Sequence, residues 1–124
     1  MDIQVLVDKA RKLKSEGKLQ RALACYNDAL SLLIKEADKH ARNTDGAMID
    51  VGKVRTITSK LFDEAKNYLK RDKITAVVSN NMGTILAELG DYEGAKKIFE
   101  QAIELTPDGE DYPDPKIGLE ELKK

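Results

Sequence analysis

The residues of this 124-residue chain whose types can do chemistry are few, and their spacing does not assemble them into a reaction centre. His40 is the only histidine and has neither a second ligand at helical spacing nor a nucleophile beside it, so we expect a solvated helix end. Cys25 is the only cysteine, which rules out an intramolecular disulfide and a thiolate cluster; next to Tyr26 it is expected to act as a small buried hydrophobe. Asp108, Glu110, Asp111 and Asp114 form an acidic run, but they lack the ligand order of a calcium loop and are interrupted by Pro113. The chain contains no phosphate-cradling Gly-Lys-Ser/Thr loop and no dinucleotide fingerprint. We therefore assign no catalytic residue, no metal and no cofactor, and expect a protein that is not an enzyme.

What remains is chemistry of recognition. Val77, Asn80, Asn81, Thr84 and Glu88 fall on one stripe at helical spacing, polar except for Val77. Adjacent amides suit a peptide backbone because each offers donors and an acceptor. Arg11, Lys14, Lys18 and Arg21 make the first part of the chain basic, and Lys53, Lys60 and Lys66 continue the trend, so an acidic peptide is the expected partner. The aromatic residues that interleave with basic ones in nucleic-acid readers are missing, which disfavours RNA or DNA.

The elements that must position these residues are helical. Hydrophobic residues make up 41% and charged residues 35%, aromatics only 5% with no Trp, a balance that favours helix formers and an all-α fold. Ile3, Leu6, Ala10 and Leu13 form the stripe of a first helix capped by Asp2 and ending near Gly17. A second, from about Leu19 to His40, aligns Ala22, Tyr26, Ala29 and Leu33, with Leu23, Leu30, Leu32 and Ile34 widening the face. Asn43-Thr44-Asp45-Gly46 is turn chemistry that should open a third helix, whose face from Val51 to Leu69 carries Val54, Ile57, Leu61, Ala65 and Tyr68. A break is placed at residues 71–73, with one continuous helix as the alternative. The fourth helix, Ile74 to Leu89, should bury Val78, Met82, Ile85, Leu86 and Leu89 and stop at Gly90. The fifth turns Tyr92, Ala95, Ile98, Phe99, Ala102 and Ile103 inward and ends at Pro107. An acidic loop follows, then a short helix over Lys116 to Lys123 that would be marginal alone.

The stretch from Ser79 to Pro107 resembles the tetratricopeptide repeat on Met82-Gly83, Leu86, Gly90-Asp91-Tyr92, Ala95, Phe99, Ala102 and Pro107, departing from it at Ser79 and Leu86. A weaker copy is similar to it on Leu6, Ala10, Leu13, Gly17, Ala22, Tyr26 and Ala29, with Lys9 in place of an apolar residue. Residues 1–72 also resemble the microtubule-interacting-and-trafficking domain, on Ala22-Leu23, Tyr26, Ala29-Leu30, Leu61-Phe62-Asp63, Ala65, Tyr68 and Leu69, and both readings stay open. The resemblance implies about five antiparallel helices plus a C-terminal cap, divided as residues 1–72, 73–107 and 108–124 and packed as one body.

It further implies an adaptor that binds a peptide or helix of another protein in a groove between helices. The concave surface would hold Val77, Asn80, Asn81, Thr84 and Glu88, with Asn81 where chaperone-binding repeats hold a ligand carboxylate. Val7 and Arg11 stand where such repeats show Lys and Asn. The expected trough lies between the first, third and fourth helices and takes in Val7, Arg11, Lys14, Lys60 and Asn67. In the trafficking-domain reading, Lys60 and Asn67 flank a groove between the second and third helices that receives an amphipathic helix. Self-assembly is a third reading. Residues 1–72 hold 15 Lys/Arg against 11 Asp/Glu and residues 73–124 hold 6 against 11, so copies can stack head to tail. No segment approaches the roughly 20 apolar residues of a membrane span and the N-terminus has no export signal, so a cytoplasmic location is expected.

Overall fold

A computed structural model describes residues 2–45 and 65–124, the side chains of 41–45 excepted. Among them the structure is all-helical, with no strand. The helices are α1 (Ile3–Ser15), α2 (Leu19–Asp45), α3 (residues 65–69, the described end of the third segment), α4 (Ile74–Glu88), α5 (Tyr92–Glu104) and α6 (Asp114–Leu122).

The two hairpins, α1–α2 and α4–α5, are closed by the same turn. Asp2 caps α1, its Oδ1 accepting the Gln4 N–H at 3.1 Å. α1 ends where Gly17 takes φ +80°: the Gly17 N–H donates to the Lys14 carbonyl and the Lys18 N–H to the Leu13 carbonyl. At the end of α4, Gly90 takes φ +88°, its N–H donates to Ala87 and the Asp91 N–H to Leu86. Both are Schellman closures, which need a left-handed residue that only glycine supplies without strain. Asp91 then caps α5 by accepting the Gly94 N–H at 2.9 Å.

Small residues let the rods of each hairpin approach. Ala10, Ala22 and Ala29 in the first, and Ala95 and Ala102 in the second, are 0% exposed. The large knobs Tyr26 and Phe99 sit at equivalent places, 73 positions apart like Gly17 and Gly90. A Cβ on Gly83 would lie 2.7 Å from the Phe99 ring, so the absence of a side chain there is what seats the ring. One apolar core runs through α1, α2 and α4, joining Leu6, Val7, Tyr26, Leu30 and Leu33 to Val78, Met82 and Ile85.

α2 packs on both α1 and α4, as its broad apolar face predicts. It does not stop at His40: the helix continues through Asn43, Thr44 and Asp45, so those three residues are not a turn. Their helix propensity is only modestly below average, and no Gly or Pro precedes Gly46 to stop the propagation. The start of the third helix and its residues Val51, Val54, Ile57, Lys60 and Leu61 lie outside the described residues, as do Leu61-Phe62-Asp63 of the trafficking-domain comparison. The break before α4 is present. Residues 70–73 form a turn, and the Asp72 carboxylate accepts the Ile74 N–H at 2.8 Å, so α3 and α4 are not one helix.

Three apolar residues expected inside face out: Ile34 (49% exposed), Leu89 (42%) and Tyr92 (63%). Leu89 and Tyr92 flank the Gly90 turn, where the chain leaves the shared core. Ile34 lies on the edge of an apolar arc wider than α1 and α4 together cover. His40 is exposed as expected, though it lies within α2 and not at its end. Its ring stacks on Tyr68 with centroids 4.5 Å apart, and Arg71 lies 4.1 Å over the same tyrosine ring. Lys66 pairs with Glu104, and Lys70 with Asp108 at 2.9 Å, fastening α3 to the end of α5.

The C-terminal segment is no loose tail. α6 starts at Asp114, earlier than the spacing suggests, and packs on α5 and α4 with Pro115 fully buried. A Cβ on Gly118 would lie 2.6 Å from Phe99. The ring is thus held between two glycines, Gly83 of α4 and Gly118 of α6. No described helix is long and apolar enough to cross a membrane.

Candidate functional site

A trough of about 650 Å³ opens between α1, α4 and the chain leading into α6. One wall is α1, with Arg11, Lys14 and Ser15 from its C-terminal part. The facing wall is α4 with Val77, Asn80 and Asn81, extended at its start by Lys73. Tyr112 and Asp114 form a third side, and Tyr26 of α2 lies at the base.

The geometry follows from how the hairpins stack. α1 and α4 both pack on α2, and the first helices of the two hairpins line the trough from either side. Val77, Asn80 and Asn81 are half-buried on the α4 side. Tyr26 is 1% exposed and its hydroxyl meets the Arg11 guanidinium. Burial pushes the phenol up from its ordinary value of 10.0, and the charge and hydrogen bond of Arg11 oppose that. Tyr112 is also pushed up, by burial and then by Asp114, while a hydrogen bond from the Asn80 amide works the other way. The Asn80 Oδ1 is buried and has no partner. Removing an amide oxygen from water without replacing its hydrogen bond costs about 1–3 kcal/mol, so the packing of this part of the wall carries that cost.

The charge is one-sided: Arg11, Lys14 and Lys73 line the trough against the single carboxylate of Asp114. Among the described residues none of these three cations is ion-paired, whereas Lys18, Lys66 and Lys70 are paired elsewhere. His/Cys/Asp/Glu groups able to hold a metal do not occur among the described residues. The arrangement can bind an anionic, hydrogen-bonding chain; it holds no nucleophile with an attendant base.

Of the residues singled out from sequence, Arg11, Lys14, Val77, Asn80 and Asn81 come together here. Val7 does not: at 1% exposure it belongs to the core, because it stands beside Leu6 on the face that meets α2. Thr84 is half-buried and donates its hydroxyl to the Asn80 carbonyl, one turn back in its own helix, at 3.1 Å. Glu88 and Asn67 are outside the trough, and Lys60 lies outside the described residues. The third wall is therefore residues 112–114, where α3 was expected.

Sequence reasoning missed Lys73, Tyr26, Ser15, Tyr112 and Asp114. Lys73 had a signal, since it precedes Val77 by four and extends the same stripe. Tyr26 had one too, an aromatic residue with a polar tip among the alanines of α2. Tyr112 and Asp114 had none, because their place depends on how α6 docks.

No curated protein and no solved structure gives a match to this chain. Residues 76–108 match the family model described as the tetratricopeptide repeat, so the α4–α5 hairpin is similar to that repeat in sequence as well as in packing.

Proposed function

We propose that the protein is a non-catalytic interaction module that takes an acidic, extended segment of another protein into the trough between α1 and α4. The tetratricopeptide repeat is a protein-interaction unit, and the match over residues 76–108 supports that class of function. The observation that carries the finer reading is the convergence of Arg11, Lys14 and Lys73 with Asn80 and Asn81 on one trough. A rigid, preformed wall lowers the ordering cost of capturing an extended chain. The cations select acidic side chains, and the Asn81 amide on the same lining offers a donor and an acceptor to the backbone of the ligand.

Selection of displayed random peptides on the immobilised protein tests this. The recovered pool should be enriched in Asp and Glu, and Lys14→Glu/Lys73→Glu, with an unchanged circular-dichroism melt, should lose that enrichment. Equal enrichment by the variant, or a pool without charge bias, would refute the reading.

A further inference from the structure

Resting on that reading of the trough, we infer that the ligand it fits best is a peptide segment bearing a phosphoryl group. The first ground is charge. Arg11, Lys14 and Lys73 carry three positive charges on the lining and Asp114 one negative. The excess is about two, and a phosphomonoester carries about −1.5 to −2 at neutral pH. A single carboxylate would leave about half of that excess uncompensated, whereas one phosphomonoester matches it.

The second ground is the distribution of donors. Arg11 and Lys14 lie three residues apart on α1, and Lys73 stands on the other side at the start of α4. A phosphoryl group has three oxygens to share among cations approaching from two walls, and the planar guanidinium suits two of them at once. Asn81 adds an amide to the same lining.

The third ground separates a phosphorylated peptide from free phosphate. Val77, Asn80 and Asn81 line the α4 wall beyond the cations, a length of surface that a phosphate ion alone would leave uncovered. A ligand that covers both features brings an extended chain and a dianion on one framework, as a peptide with a phosphorylated side chain does. Val77, apolar on the same stripe, gives the flanking residue something to pack against.

Fluorescence polarisation with labelled, short, degenerate peptide pools tests the inference on the full chain. The pools share a fixed central residue, either phosphoserine, glutamate or serine, and inorganic phosphate serves as an unlabelled competitor. The phosphoserine pool should bind about tenfold tighter than the glutamate pool. Lys14→Ala and the exposed Lys73→Ala should each reduce that preference severalfold with an unchanged thermal melt. Inorganic phosphate should displace the pool only weakly. Equal affinity for the glutamate and phosphoserine pools overturns the phosphoryl inference while leaving the acidic-peptide reading in place. Displacement by inorganic phosphate as effective as by unlabelled phosphopeptide overturns the peptide part. Failure of every pool to bind overturns both.

Discussion

Phe99 shows how much rests on a single side chain. Its ring occupies space that side chains at Gly83 and Gly118 would fill, with contacts of 2.7 and 2.6 Å from the positions their Cβ atoms would take. Because the ring is flanked from both helices it has nowhere to retreat. Gly83→Ala should therefore destabilise by about 1–3 kcal/mol through overpacking, reversing the gain of about 1 kcal/mol that alanine normally brings to a helix interior. Phe99→Ala should cost about 3–5 kcal/mol; both are read from denaturant midpoints. The tyrosines give a pH signature. Tyr26 and Tyr112 are raised above 10.0 in the folded chain, so the unfolded chain loses its phenolic protons first. Their stabilisation is complete below pH 10 and declines as pH rises through the folded values. Tyr26→Phe should flatten the alkaline fall of the melting temperature, and an unchanged slope would contradict the assignment. The small residues, the knobs and the basic residues of α1 were legible because each is fixed by local spacing. Val7 was misread because it lies beside the Leu6 stripe, and position along a helix does not say how wide the contact with α2 will be.

At the level of elements, the two hairpins share one closing device. Gly17 and Gly90 have nearly the same φ and the same pair of backbone hydrogen bonds, and nothing lies within 4 Å of the place a Cβ would take on either. An alanine at either place meets no steric neighbour and pays only for the left-handed backbone. Gly17→Ala and Gly90→Ala should each lower stability by about 1–2 kcal/mol, and by similar amounts in thermal or denaturant unfolding. The helix limits set by Asp2, Gly17, Gly90 and Asp91 were readable because caps and left-handed glycines act over a few residues. The overrun of α2 through Asp45 was not, since Asn43 and Thr44 favour turns only weakly when the preceding helix is already propagating. The seat of α6 was not legible either: Gly118 looks like a helix breaker until the Phe99 ring is placed beneath it.

Across the whole molecule, the basic N-terminal and acidic C-terminal parts meet within the chain. Lys66 with Glu104 and Lys70 with Asp108 join opposite signs across 38 positions of sequence. Lys66 also holds the Glu104 carboxyl below its usual range, chiefly through their hydrogen bond. Charge that head-to-tail stacking of copies would use is partly neutralised inside one chain, which is why the polarity of the sequence does not lead us to an assembly. The carboxylates of these pairs are exposed while the lysine stems are half-buried, so Glu104→Gln/Asp108→Asn should lower the melting temperature slightly at low salt and not at about 1 M salt, where screening is short-ranged. The seating of α6 reaches further than stability. It carries Asp114 and holds the chain from Tyr112 onward against α4, so the seat of the Phe99 ring sets where Tyr112 and Asp114 stand on the third side of the trough. Under the proposed function, exchanging Phe99 for leucine or methionine would act as a remote dial, altering peptide affinity without changing any residue that lines the trough.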